Sequence, residues 1–281
     1  MSGIKDIQLK QEEGEDQDSI LVIAPALLSL SPESDAAIKE LPLKLKNEKR
    51  LNRKLRSIFN KIGNDSVKTI RQTGFAPDIT NYQNQLSELI QKDSATTMSR
   101  FSKQLRKELK LGNIGDAIIK TEIKQYIEQT SFEQAGYIIS TTQKRLGQTM
   151  EKAFKDFAQQ GIEPKSSELA KIVKKDFKKI NRTRSNTISA NEVQRVSERA
   201  KLIEAETLYR LEKIRKPQKR WDAILDNKTR PWHALADAQI VDISSPFIVK
   251  GEQLMHPGDK SLGASLDNII NCRCSVQFIS E

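Results

Sequence analysis

Cysteine and histidine are almost missing from this chain, with two of each in 281 residues. Cys272 and Cys274 stand one residue apart, too few and too close to build a disulfide framework, so the expectation is a soluble protein made and kept in a reducing compartment. Aromatic residues are also scarce, at 5%. That argues against stacking on single-stranded bases and leaves the phosphate backbone as the place for any nucleic-acid contact. No run approaches the roughly 20 apolar residues of a bilayer span, which excludes an integral membrane protein. The longest candidate, Ile20 to Leu30, is broken by Pro25 and follows Glu12, Glu13, Glu15, Asp16 and Asp18. A secretory signal would carry basic residues there, so export by that route is not expected. A Gly-rich phosphate loop, a Gly-x-Ser-x-Gly elbow and a nucleophile–base pair are missing as well. So is any fixed repeat of solenoid length.

Charge, by contrast, is plentiful and uneven. Residues 1–40 hold three basic and nine acidic side chains, residues 41–220 hold 39 and 20, and residues 221–281 hold five and eight. The formal charge of +10 thus conceals a central segment at +19 between two acidic ends. Long solvated helices use many lysines for their helix compatibility alone. An excess of one sign also suits attraction to nucleic acid or to an acidic partner surface, and both readings stay open here.

The central segment has the 3–4 spacing of helical faces. Leu51, Leu55, Ile58, Phe59 and Ile62 mark one helix, with Gly63-Asn64 as its expected end. Pro77-Asp78 opens a second stretch through Ile79, Tyr82, Leu86, Leu89 and Ile90, continued by Met98, Phe101, Leu105 and Leu109 up to Gly112. Ser131 reads as an N-cap for Phe132, Ala135, Ile139, Thr142, Leu146, Thr149, Ala153 and Phe157, stopped by Gly161 and Pro164. Leu169, Val173, Phe177 and Ile180 predict a shorter helix. Val193, Val196, Ala200, Ile203, Thr207, Leu211 and Ile214 predict a last one, closed by Pro217. The apolar seams are narrow, so these helices need each other or a partner.

After Pro217 the pattern changes. Gln239–Val241, Phe247–Val249 and Ser275–Ile279 read as short strands, punctuated by Pro246, Gly251, Pro257-Gly258-Asp259 and Gly263. Thr229 to Ala236 suits one short helix with Pro231 in its first turn. Both tryptophans, Trp221 and Trp232, fall here. The fold class expected is α+β: a long, mostly helical N-terminal and central region followed by a small α+β C-terminal domain. Three pieces are expected, an acidic tail with a short apolar segment at 1–40, a basic helical region at 41–216 and the α+β domain at 217–281. The Ile20 to Leu30 run has too many apolar residues for a free tail, and docking onto a partner or onto the helices is expected of it.

Every histidine and cysteine of the protein lies in that last piece. His233, His256, Cys272 and Cys274 are the ligand types zinc prefers, and four suffice for a closed tetrahedral site. The Cys-x-Cys spacing is not the usual Cys-x-x-Cys knuckle, and a helix-bonded His233 with two small buried cysteines is the competing reading. A metal-dependent nuclease is a further one, since His233, His256, Asn271, Asp226 and Asp259 are the residue types that hold a divalent ion and activate water. No tight nuclease motif or clustered acid pair supports it.

The C-terminal string resembles the phage Mu F-like head morphogenesis family, the minor head proteins of tailed phages. The resemblance rests on Trp221, Asp226, Thr229-Arg230, His233, Pro257-Gly258-Asp259 and Asn271-Cys272-Arg273-Cys274, in order over about 60 residues. The family's Ile-Ala-Arg-Thr-Glu helix start reads Ile188-Ser189-Ala190-Asn191-Glu192 here, and a glycine usual shortly after the histidine is Ala238. Residues 1 to about 180 carry no matching motif. The resemblance implies a structural, non-catalytic, few-copy component of the procapsid. Its implied partners are the portal protein, capsid or scaffolding proteins and phage double-stranded DNA, bound without sequence preference. Its implied place is the capsid interior near the portal, after assembly in the host cytoplasm, with a part in DNA packaging or delivery. The alternatives are the nuclease and a sequence-independent DNA-binding protein. An appended toxin domain is not expected. Asp226, Arg230, His233, Asp259 and Arg273 are expected to form one polar cluster that fixes the loops of a domain with little core, because a guanidinium can grip a carboxylate in two bonds.

Overall fold

Buried apolar residues at steps of three and four carry four long helices through the computed structural model, which describes residues 36–280 of the chain. They are α1 (Ala36–Thr73), α2 (Gln83–Glu108), α3 (Asp116–Gln159) and α4 (Ser166–Arg210). Leu55, Phe59 and Ile62 of α1 pack with Leu86 and Ile90 of α2, Ile139 and Leu146 of α3, and Val173 and Phe177 of α4. Further along the bundle, Met98, Phe101, Ile119, Ile123, Val196, Ala200 and Ile203 form a second core. The Ile20 to Leu30 run lies outside the described residues.

Several helix boundaries differ from the sequence reading; the last helix ends at Arg210, short of Ile214 and Pro217, and three others differ for a clear physical reason. Gly63 does not end α1. It is buried where α1 meets α4, and a Cβ there would stand 3.0 Å from Phe177 Cδ1, so glycine permits a close approach of the two helices. Ser131 is not an N-cap but a buried residue inside α3. The stripe already runs through Ile119, Ile123 and Ile127, and the helix starts after Gly115, whose φ of 73° turns the chain. The two helices expected between residues 166 and 216 are one. Their join looked non-helical because its seam is polar: Asn181, Ser185 and Ser189, spaced by four, are all buried, and Asn181 Nδ2 donates to Arg56 O (3.2 Å) and to Asn60 Oδ1 (2.5 Å) on α1.

Beyond Pro217 come β1 (Gln218–Asp222), α5 (Pro231–Leu235), β2 (Ile240–Asp242), β3 (Phe247–Val249), β4 (Glu252–Leu254), α6 (Leu266–Ile269) and β5 (Ser275–Ile279). The α+β class holds. β1 is the centre of an antiparallel sheet ordered β2-β1-β5, with Trp221 opposite Val276 and Arg220 opposite Ile240. β3 and β4 form a separate hairpin in which Val249 pairs with Glu252. Its two turn residues, Lys250 and Gly251, have φ of 52° and 75°, the doubly left-handed turn that matches strand twist. β1 and β4 escaped the sequence reading. β1 is Gln-Lys-Arg-Trp-Asp, polar yet largely buried: Lys219 donates to Met255 O at 2.8 Å, Asp222 accepts the Ala37 N–H, and Trp221 belongs to the core.

The strands are not a body apart. The described residues 36–280 belong to one compact unit, and β5 packs against both α1 and α4. Helix α1 begins at Ala36, inside the stretch expected to be an acidic tail, and the Asp222 carboxylate of β1 accepts the Ala37 N–H at 2.6 Å. A carboxylate there satisfies a first-turn N–H and favours the helix dipole.

Candidate functional site

The short α5 owes its place to Pro231 at its first position, with Arg230 extended before it. One turn later His233 is buried under Trp221, whose ring meets the imidazole edge-on with centroids 5.6 Å apart. The chain returns at Asn271, whose φ of 56° turns it into β5 and aims Cys272, 39 residues from His233, and Cys274 at the same imidazole. His233 Nδ1 lies 3.7 Å from Cys272 Sγ and 3.4 Å from Cys274 Sγ. The intervening Arg273 faces the other way, as strand alternation requires. Its guanidinium grips Asp226 with two bonds of 2.8 and 2.5 Å. That grip holds the Asp226 carboxyl well below its ordinary range, helped by the Lys228 N–H.

Three of the four zinc-type ligands named from sequence therefore meet, and His256 does not join them. It is buried elsewhere, its Nδ1 donating to Pro257 O at 3.1 Å beside Asp259. Cys274 donates toward Cys272, which pulls the Cys272 thiol well below its ordinary range against the effect of burial; His233 adds to that pull, and Cys274 is pushed up in turn. The Trp221 N–H faces Cys274, and His233 Nε2, the ring nitrogen not turned to the sulfurs, is buried without a hydrogen-bond partner.

The single polar cluster expected from sequence is divided. Asp226 and Arg273 pair as described. Arg230 instead donates to the Ile270 carbonyl, fixing the loop before Asn271. Asp259 closes its own turn, accepting Met255 N–H (2.9 Å), Ser261 N–H (2.9 Å) and Ser261 Oγ (2.8 Å). The reason is distance along the fold: the Pro257-Gly258-Asp259 turn sits on α4, where a Cβ at Gly258 would come within 3.1 Å of Gln194 Cγ. The residues considered for a nuclease separate for the same reason. Asn271 uses its N–H on Asn191 Oδ1 at 2.7 Å, and His256 and Asp259 belong to another loop.

What sequence reasoning missed is the helix that receives these pieces. Asn191, Gln194, Glu198 and Lys201 of α4 each contact the C-terminal string. Gln194 Nε2 donates to Cys274 O at 2.7 Å, and Glu198 Oε2 accepts the Val276 N–H at 2.9 Å. Beneath them lies a buried quartet of charges. Lys201 Nζ reaches Glu40 Oε1 (2.7 Å) and Glu198 Oε2 (2.9 Å), while Lys44 Nζ reaches Glu198 Oε1 (2.6 Å). Lys201 also donates to Ser275 Oγ (2.6 Å) and Val276 O (3.0 Å), and Lys44 to Cys274 O (3.3 Å). Burial alone would lower the Lys201 pKa, but Glu198 and Glu40 push it up to about 12. The Glu at the end of the family's helix start, Glu192 here, pairs with Arg195 at 2.7 Å rather than with the strands. Glu198 and Lys201 lie on the face of α4 opposite Val196, Ala200 and Ile203, beside Gln194, and their partners in α1 and β5 are remote in sequence, so no local pattern marked them as buried.

Compared with known proteins, residues 148–277 match the family model described as Phage Mu protein F like protein. No curated protein matches the chain, and no solved structure does. The matched span contains both the receiving helix and the strings it receives, so the motif is one folded object rather than a coincidence of residues. Residues 148–277, from the last turns of α3 to β5, are thus similar to the Phage Mu protein F like family, the one their motif resembles.

Proposed function

We propose that this protein is a minor head protein of a tailed bacteriophage, built into the procapsid next to the portal and touching phage double-stranded DNA during packaging or delivery. The family match over residues 148–277 carries the reading. The fold supports it in two ways. The C-terminal strands are locked onto α1 and α4 by buried charges, which suits a part that transmits contacts within a large assembly rather than one that moves to catalyse. Helix α4 also presents Lys171, Lys174, Lys175, Lys178, Lys179 and Arg182 to solvent. Such a row suits phosphates without reading bases. The portal protein is the first partner, with capsid or scaffolding proteins around it. The protein assembles in the host cytoplasm and resides in the virion interior; among the described residues no helix is long and apolar enough to cross a membrane.

Co-expression with the scaffold, capsid and portal proteins of the same phage tests the proposal. Purified procapsids should contain the protein when the portal is present and lose it when the portal gene is omitted. Its absence from portal-containing procapsids would reject the assignment.

A further inference from the structure

We propose that His233, Cys272 and Cys274 bind one zinc-type divalent ion, with water in the fourth position, and that this ion staples α5 to the chain entering β5. The geometry argues first. All three ligand atoms lie within 4.8 Å of one another. A tetrahedral ion with bonds of about 2.3 Å to sulfur and 2.0–2.1 Å to nitrogen holds S and N about 3.6 Å apart. The two Sγ–Nδ1 distances, 3.7 and 3.4 Å, fall on either side of that value.

Charge argues next. Two thiolates neutralise a divalent ion, so the complete site carries no net charge and tolerates its buried position. The ligand set also selects the metal, because thiolate and imidazole favour zinc over the hard ions that a carboxylate site would take. The surroundings agree. The Trp221 N–H faces Cys274, where a metal-bound thiolate is a stronger acceptor for it than a thiol. Around the ligands the backbone is fixed independently: Arg230 holds Ile270, Asn191 holds Asn271, Arg273 holds Asp226, and Gln194 holds Cys274. The three ligands are thus placed before any ion arrives. Among the described residues no fourth His, Cys, Asp or Glu joins them, which leaves the last position to water.

The test uses the full chain, reduced, stripped with a chelator and titrated with Co²⁺. A thiolate-to-cobalt charge-transfer band should grow and saturate at about one equivalent, and Zn²⁺ should abolish it by displacement. Zinc should also slow the reaction of both cysteines with a thiol reagent. In His233→Gln, which keeps both thiols, the affinity should fall at least about tenfold, whereas His256→Gln should bind as the parent does. Absence of the band in the parent chain overturns the proposal, whatever the variants do. So does a band that persists in the Cys272→Ser, Cys274→Ser double variant, or one weakened as much by His256→Gln as by His233→Gln.

Discussion

Lys201 on α4 holds Glu40 on α1 at 2.7 Å, 161 residues apart in sequence, with both side chains buried. The pair joins the first turns of the described chain to the receiving helix, and Ser275 of β5 lies within reach of both. Replacing Lys201 by Met leaves Glu40 and Glu198 buried with Lys44 as their remaining cation. Removing one member of a buried ion pair costs about 3–5 kcal/mol, because the charge left behind is uncompensated. Urea denaturation of the full chain should show a loss of that size for Lys201→Met. A loss below about 1 kcal/mol, the range of exposed pairs, would mean that water reaches the quartet.

The contact of Gly63 with Phe177 sets two effects against each other. Gly→Ala inside a helix ordinarily gains about 1 kcal/mol. Here the new methyl would sit 3.0 Å from Cδ1 and 3.1 Å from Cγ of the buried Phe177 ring, and overpacking costs about 1–3 kcal/mol. Gly63→Ala should therefore lower the melting temperature, and Phe177→Leu in the same chain should recover part of the loss. A rise in Gly63→Ala alone would show that the two helices separate easily.

Ala238 stands where the resembled family usually carries glycine, and its φ is 63°. Its N–H bonds Trp221 O at 2.9 Å, so the left-handed turn starts the pairing of β2 with β1. A side chain in that region costs about 1–2 kcal/mol, which glycine avoids. Ala238→Gly should raise the melting temperature of the full chain by a few degrees. No rise would mean that the flexibility of glycine in the unfolded chain offsets the relief.

These cases also mark how far the sequence could be read. Apolar periodicity located α1 to α4 because their cores are made of leucine, isoleucine and phenylalanine, and the string from Trp221 to Cys274 identified its family because its order is unusual. The misreadings share a cause: local rules were applied to residues whose roles are tertiary. Gly63 looked like a stop and is a contact; Ser131 looked like a cap and is core; the stretch between Ile180 and Val193 showed no apolar stripe and is a polar seam at Asn181, Ser185 and Ser189. The same holds at the candidate site. Cys272, Cys274 and His233 were legible as ligand types. That His256 turns away to Pro257, and that Glu40 meets Lys201, depends on how the loops and α1 fold against α4, which no spacing encodes.

Acid should weaken the fold in a defined window. Burial holds the His256 imidazole neutral down to about 4, outweighing the attraction of Asp259 and Glu198, with Arg199 acting in the same direction as burial. In the unfolded chain it titrates near 6.5. Between those values the unfolded state binds a proton that the folded state does not, so stability falls as pH drops through the window, by at most about 3 kcal/mol. Glu198 adds a second loss at lower pH: burial would raise its pKa, yet Lys201 and Lys44 bring it to about 2, so its contribution disappears between 4.5 and that value. Urea midpoints at pH 7 and pH 5 should differ clearly in the parent chain and much less in His256→Gln. Equal sensitivity in both would assign the acid effect to other groups.

The exposed cations of α4 fall on one face. Lys171, Lys175, Lys178 and Arg182 follow helical steps, with Lys174 and Lys179 beside them, and Ala170, Val173 and Phe177 occupy the buried side. Asp176, the acid within this row, is turned to Thr149 at 2.6 Å and toward Arg145, so it does not neutralise the lysines one turn away. If this face meets the phosphates of double-stranded DNA, each contact releases a counterion, and the logarithm of affinity falls by about 0.9 per contact for each tenfold rise in salt. Changing Lys174, Lys175, Lys178 and Lys179 together to Gln should leave the helical circular dichroism intact. It should weaken binding to unrelated duplexes equally and flatten the salt slope by about 0.9 for every phosphate contact removed. Filter binding at 50 to 200 mM salt resolves both effects. An unchanged slope would remove α4 from the DNA interface and leave its lysines as a solvated surface that keeps a long helix in water.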